Sequence, residues 1–467
     1  MIPRERAKPD SDTGDRGYAF LYLALLSLLG CFVVSVVYVN SFAVNVFFAD
    51  EWDFVPLLRR AQMGTLEAGD LLAHHNEHVY LFPWGLMLLL GSVTNYDTVP
   101  LMYGVLLCLL LTAVVLLLAF SGDAKGRSRV YLLLFVPVPL LVFSWRQHEN
   151  MLWGNQISFG LAQSFSVLSL YLLHACSGSG GVRRAAAFSA GLLAATVASF
   201  SAVQGLLVWP AGLLVLLASS LGRPAKGAFA AAWALVGAAE WALHLSGYDR
   251  PRGVPSVLYA AEHPLEGFSY FVTLLGASLF HQEAATFWAG LALLALSLVG
   301  LFLLMGERRL PSRPFWLGLL IFAFLSLASV TAGRVGFPDE AFFARATVSR
   351  YATFSLLAVV GTYAVFAGLV WLRRSAATLA LFGVLSLLIV ASVPLSYGEG
   401  MEAGRLTEAS RESMVSVLAD HRSQPVLAFL VFGNDPQRVK RYARVLDRLD
   451  QSIFAGGGEP TGRDGGP

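Results

Sequence analysis

The sequence predicts an all-α polytopic membrane protein with about eleven transmembrane helices, and three observations predict it. Hydrophobic residues make up 56% of the 467-residue chain and charged residues only 14%, with a mean hydropathy of +0.62. Apolar runs of roughly twenty residues, the length that crosses a hydrocarbon layer of about 30 Å, recur along it. Between them stand short loops carrying Lys and Arg. A net charge of +2 without any basic block offers no nucleic-acid footprint, so no nucleic-acid partner is expected. Cys31, Cys108 and Cys176 are too few and scattered for a disulfide framework or metal knuckle and read as packing residues.

Residues 1–17 mix both charge signs and form a cytoplasmic tail before an uncleaved signal-anchor. Basic loops at 121–129, 176–185, 222–227, 306–314 and 372–375 all lie inside only if the run 79–94 does not cross. That run is short and holds Pro83 and Gly85, so it is expected on the outer surface with Trp84 near the headgroups. The spans then read 18–39, 98–120, 130–145, 156–175, 186–201, 204–221, 228–246, 285–305, 315–332, 351–371 and 376–396. Residues 268–280 are expected as an interfacial or re-entrant helix. This divides the chain into a transmembrane domain, 18–396, with a first external loop at 40–97, a small external helical segment at 397–454, and a disordered tail at 455–467. The expected location is multi-pass in the cytoplasmic (inner) membrane, with the amino terminus inside and the carboxyl terminus outside.

Polar chemistry concentrates on the outer side of this topology. Asp50, Glu51 and Asp53 follow the first span directly, where a partly desolvated carboxylate can serve as a general base. The plain alternative is a solvated loop whose acids cap the helical stretch 54–63. His74, His75, Asn76, Glu77 and His78 form a second cluster; on a helix His74 and His78 would share a face. Its residue types make His75, Glu77 and His78 a candidate divalent-metal set, although a hydrogen-bonding cluster that orients substrate fits the missing HExxH pattern better. Gln147, His148, Glu149 and Asn150, with Gln156 and the flanking Trp145 and Trp153, have the amides and rings that grip a sugar. Arg334, Arg345 and Arg350, with Tyr351, sit outside against the charge rule and suit a lipid phosphate, unless Asp339 and Glu340 pair with them. Glu240 and His244, one turn apart within a span, read either as a proton-sharing pair or as a satisfied one.

The order of a first span, an Asp50-Glu51 pair at its outer end, a surface helix with Leu81-Phe82-Pro83-Trp84-Gly85, and a second span entered through Asn95-Tyr96-Asp97 resembles the amino-terminal module of GT-C integral-membrane glycosyltransferases. That superfamily includes the protein O-mannosyltransferases and the lipid A aminoarabinose transferases. The resemblance covers roughly residues 18–120. It implies a GT-C-like fold, a catalytic acid at Asp50-Glu51 and a polyprenyl-phosphate-linked sugar as donor. Ser349-Arg350-Tyr351 likewise resembles the arginine-bearing entry to a late span. Where the superfamily commonly has Lys-Pro-Pro-Leu, this chain has His75-Asn76-Glu77-His78.

The expected function is therefore an inverting transfer of one sugar to a glycan, lipid or protein acceptor at the outer face, with membrane lipid around the enzyme. The rival is a transporter or flippase of lipid-linked sugars, using the same acids for cations and the same arginines for phosphate. It would need polar residues running through the spans, which are nearly bare.

Overall fold

The computed structural model describes residues 12–124, 129–250, 255–337 and 342–456. Among them, nine helices are long and apolar enough to cross a membrane, the architecture of a polytopic helical membrane protein. The expected spans at 186–201 and 204–221 correspond to two elements outside those nine. One is the Ala- and Gly-rich helix Gly181–Ser199; the other is the apolar segment Val203–Ala218. Expectations for Lys125 and Arg127, for the pairing of Asp339 and Glu340, and for the tail beyond residue 456 lie outside the described residues.

The first helix, Asp12–Phe42, shows how this sequence sorts lipid from core. Ala24, Leu28, Cys31, Ser35 and Tyr38 recur at spacings of three and four and are buried, while Leu26, Leu29, Val33 and Val37 on the other side are exposed. The opposite pattern marks the helix Ala352–Arg373, in which every residue from Ala352 to Leu369 is buried. Apolar all round, it forms the axis of the bundle.

Several expectations are refined or corrected here. The expected span at 130–145 falls within the apolar stretch Val130–Leu152, but it is not one regular α-helix: Pro137 and Pro139 divide it into a tight turn segment, Arg129–Phe135, and a short helix, Pro137–Val142. The chain after it folds inward, so Gln147, Asn150, Asn155 and Gln156 are buried rather than looped into solvent. His74–His78 is not helical but an antiparallel hairpin pairing His75 with His78. Asn76 makes its turn in the left-handed region, at φ 52°, which a short polar side chain tolerates better than most. Trp84 is buried, within 5.8 Å of the His75 ring and 5.7 Å of Tyr80, because this aromatic cluster offers more contact than a headgroup layer.

A further correction concerns the tail, which does not leave the membrane helix at Tyr397. A single helix runs Ala376–Ala419, 44 residues with Pro394 inside it, and at about 1.5 Å per residue it spans roughly 66 Å, twice a hydrocarbon layer. Its far half is seated through small residues: a Cβ on Gly400 would lie 2.3 Å from Trp145 Cβ, and one on Gly404 2.7 Å from the Phe42 ring. Residues 268–280 belong to a short helix, Pro264–Gly276, and the turn after it; Tyr270, Leu274, Leu275 and Leu279 reach the main core, so it is an internal helix rather than an interfacial one.

Asp435 caps the helix Pro436–Arg448, accepting from the Arg438 N–H at 2.9 Å. This helix buries Val439, Ala443 and Leu446 against Trp52, Phe54, Leu58, Phe429 and Phe432 in a second, smaller core. The loop 43–97 thus lies between the long-helix bundle and a carboxyl-terminal cap.

Candidate active site

Phe48 ends the approach to the first loop in an extended conformation, and Ala49 then turns at φ 46°, unusual for alanine. The following turn, Ala49–Phe54, sets three carboxylates in three different environments. Glu51 is 1% exposed and accepts from two backbone N–H groups, Phe48 at 2.8 Å and Asn155 at 2.9 Å. Burial pushes its carboxyl up to about 7, although Arg411 and the two backbone donors pull the other way. It closes the loop onto the segment 153–156, and Gly154 admits it: a Cβ there would sit 2.9 Å from Glu51 Oε1 and 3.0 Å from the Thr98 carbonyl.

Asp53 pairs with Arg438 of the carboxyl-terminal cap and lies 3.6 Å from His75 Nδ1. Burial, helped by the neighbouring Asp50, raises its pKa more than His75 and Arg438 lower it. Asp50 is different. Its carboxylate is half-exposed, has no guanidinium within ion-pair distance among the described residues, and lies 3.9 Å from His75 Nε2. Burial pushes its pKa up, but His75, with Arg350 and His78 behind it, outweighs that and holds it below the ordinary carboxylate range.

The hairpin explains why His75 is there. Cross-strand pairing puts His75 and His78 on one face, where both stack near Tyr80, with ring centroids 5.3 Å and 5.1 Å away. His78 is buried and its pKa falls to about 4, Glu77 opposing only in part; its Nδ1 accepts from the Val203 N–H at 3.0 Å, so the ring is a neutral structural partner. His74 faces elsewhere and contacts the His244 carbonyl at 2.8 Å. Glu77 binds Arg334 at 2.7 Å, and its pKa is lowered, burial being overcome by His78 and Arg334. Asn76 Nδ2 lies 3.4 Å from His75 Nε2.

His75, Glu77 and His78 therefore do not gather as a metal set, because two of the three are committed to Arg334 and to a backbone amide. The group whose ligand atoms do lie within 4.8 Å of one another is Asp50, Asp53 and His75. A divalent cation there would have to compete with Arg438 for Asp53.

The cluster around His148 and the arginine set around Arg350 are brought together by the fold. Glu149 accepts from the Arg350 N–H at 3.0 Å and lies 3.5 Å from its guanidinium. Asn150 Nδ2 donates to the Arg350 carbonyl at 3.0 Å, and Ser349 Oγ lies 3.2 Å from His148 Nδ1. Arg334 Nε donates to the Tyr351 hydroxyl at 2.7 Å, and Arg345 stacks over the Phe337 ring at 4.0 Å. Gln147 donates its amide N–H to the Val142 carbonyl at 2.7 Å, and among the described residues its Oε1, like Gln156 Oε1 and Asn150 Oδ1, is buried without a partner. Glu240 is satisfied by the Thr196 hydroxyl at 2.7 Å and Trp209 Nε1 at 3.1 Å, while the His244 ring meets the Glu240 backbone carbonyl at 3.0 Å and the Phe200 ring at 4.7 Å; among the described residues no hydrogen bond joins the two side chains.

Four residues of this region escaped the sequence reading. Tyr80 and Arg438 act through packing and an ion pair made only in the fold, and Glu399 pairs with Arg146 across 253 residues of chain. Arg411 is the fourth, and a signal existed: it falls on the stripe Gly400, Gly404, Arg411, Met414, Leu418, the buried face of its helix. A charge on a buried stripe calls for an explanation. No protein-family model, curated protein or solved structure matches this chain.

Proposed function

We propose that this protein is an inverting membrane glycosyltransferase that moves a sugar from a polyprenyl-phosphate donor to an acceptor hydroxyl at the outer face of the cytoplasmic membrane. The observation that carries the reading is Asp50. It is a half-exposed carboxylate without a bonded arginine, beside an imidazole, in a region where Asp53, Glu77, Glu149 and Glu399 each have an arginine partner.

In this reading Asp50 accepts the acceptor's O–H as a hydrogen bond. As the acceptor oxygen bonds to the anomeric carbon it becomes strongly acidic, so even a carboxylate of lowered pKa takes the proton. The bond from the anomeric carbon to the phosphate oxygen breaks with its electron pair leaving on the phosphate. Arg350 holds Glu149 only by a long contact and retains donors for that developing charge. His75 fixes the Asp50 carboxylate, and Asn150 and Gln156 offer their unpartnered carbonyl oxygens to sugar hydroxyls.

The test is a cell-free assay with purified protein and a labelled polyprenyl-phosphate sugar. Asp50→Asn is expected to fold normally and to lose at least about a hundredfold in transfer, whereas Glu51→Gln acts through the loop. Transfer undiminished in Asp50→Asn would sink the mechanism.

A further inference from the structure

We infer that Arg411 is the anchor of a second, anion-binding pocket, one that takes a phosphate-type oxyanion from the side of the long helix. Arg411 is 8% exposed, and its guanidinium lies over the Phe48 ring at 3.7 Å. Among the described residues it has no hydrogen-bond acceptor and no carboxylate within ion-pair distance. Its situation is unlike that of Arg146, Arg334, Arg350 and Arg438, each paired with a carboxylate. Glu51 and Glu149 are within electrostatic reach of Arg411, but a buried guanidinium that no carboxylate hydrogen-bonds remains costly, and an aromatic face offsets only part of that.

The guanidinium faces a cavity of about 260 Å³ lined with Phe48, His148, Trp153, Thr407 and Ser410, with Leu406 at its edge. The volume suits a phosphate group with its first substituents. Glu149 also lines it but is held by the Arg350 backbone N–H and guanidinium, while Glu51 is tied to two backbone amides. Neither carboxylate is bonded to Arg411. The hydroxyls of Thr407 and Ser410, one turn apart on the helix, can donate to the remaining oxyanion atoms. Leu406 is 63% exposed on the same helix, an apolar surface along which a prenyl chain can run. The ligand's identity as a lipid phosphate rests on the transferase reading; the oxyanion chemistry does not.

The test titrates decaprenyl phosphate, decaprenol and inorganic phosphate separately into detergent-purified protein. The variants are Arg411→Met, Arg411→Lys, Thr407→Trp to fill the cavity, and Asp50→Asn. Arg411→Met and Thr407→Trp are expected to weaken phosphate binding at least about tenfold, Arg411→Lys to restore part of it, and decaprenol binding to stay unchanged. Decaprenyl phosphate binding without inorganic phosphate binding identifies a lipid carrier; the reverse identifies a soluble phosphate. If both ligands bind Arg411→Met and Thr407→Trp as tightly as the unaltered protein, the pocket is refuted. Should Arg411→Met not fold, Thr407→Trp decides alone. Asp50→Asn separates the two readings: loss of transfer with phosphate binding intact supports both, whereas retained transfer ends the base assignment and leaves the pocket standing.

Discussion

Asp50 and Glu51 are neighbours in sequence with opposite fates, and their environments show why. Glu51 points inward to two amides and is desolvated; Asp50 points to His75 and to water. Because the folded state raises Glu51 from an ordinary 4.5 to about 7, folded protein binds more protons than unfolded between those values. Its contribution to stability is therefore full below about 4.5 and declines as pH rises toward 7. His78 works the other way: lowered from 6.5 to about 4, it favours folding increasingly as pH rises through that interval. Melting temperatures of the unaltered protein and Glu51→Gln across pH 4–8 are expected to diverge with pH, the variant losing less toward neutrality; parallel curves would contradict the assignment. Gly154→Ala presses on both the Glu51 carboxylate and the Thr98 carbonyl. It is expected to cost about 1–3 kcal/mol, read as a lowered melting temperature, with transfer reduced as the loop carrying Asp50 shifts.

At the scale of elements, the hairpin and the long helix do the positioning. A two-residue turn with Asn76 at φ 52° directs His75 to Asp50 and Glu77 to Arg334. Asn76→Val places a β-branched residue in the left-handed region and should cost about 1–2 kcal/mol, while Asn76→Gly should be nearly neutral; limited proteolysis in the 65–80 region reads the difference. Gly400→Val would drive a side chain into Trp145 and, by prising the long helix from the segment bearing His148 and Glu149, is expected to lower stability by about 1–3 kcal/mol. Thermal melting with a phosphate-binding measurement checks it, since a purely local cavity effect would spare binding.

At the scale of the whole molecule, the site lies where two cores meet. One is the membrane bundle; the other unites the first loop with the carboxyl-terminal helix, Arg438 reaching Asp53 across 385 residues of chain. This arrangement requires positions 65 and 410 to lie on one side of the membrane and position 226 on the other. Single cysteines at Thr65 and Ser410 should label together with an impermeant reagent, and a cysteine at Lys226 should not; labelling of all three from one side would overturn it.

Hydrophobic length and charge asymmetry, which act within single stretches of chain, were enough to foresee a helical membrane architecture, the short helix at 81–94 and the clusters around Asp50, His75, His148 and Arg350. Local pattern also misled in places, because an apolar run does not reveal that Pro137 and Pro139 break it, nor a polar run like 145–156 that it folds inward. What only the tertiary structure decided was pairing: Glu77 with Arg334, Glu149 with Arg350, Asp53 with Arg438, and, among the described residues, no carboxylate bonded to Arg411. Those choices depend on groups hundreds of residues apart competing for a few ångströms of low-dielectric space, where a carboxylate's partner determines whether it braces the fold or remains free to react.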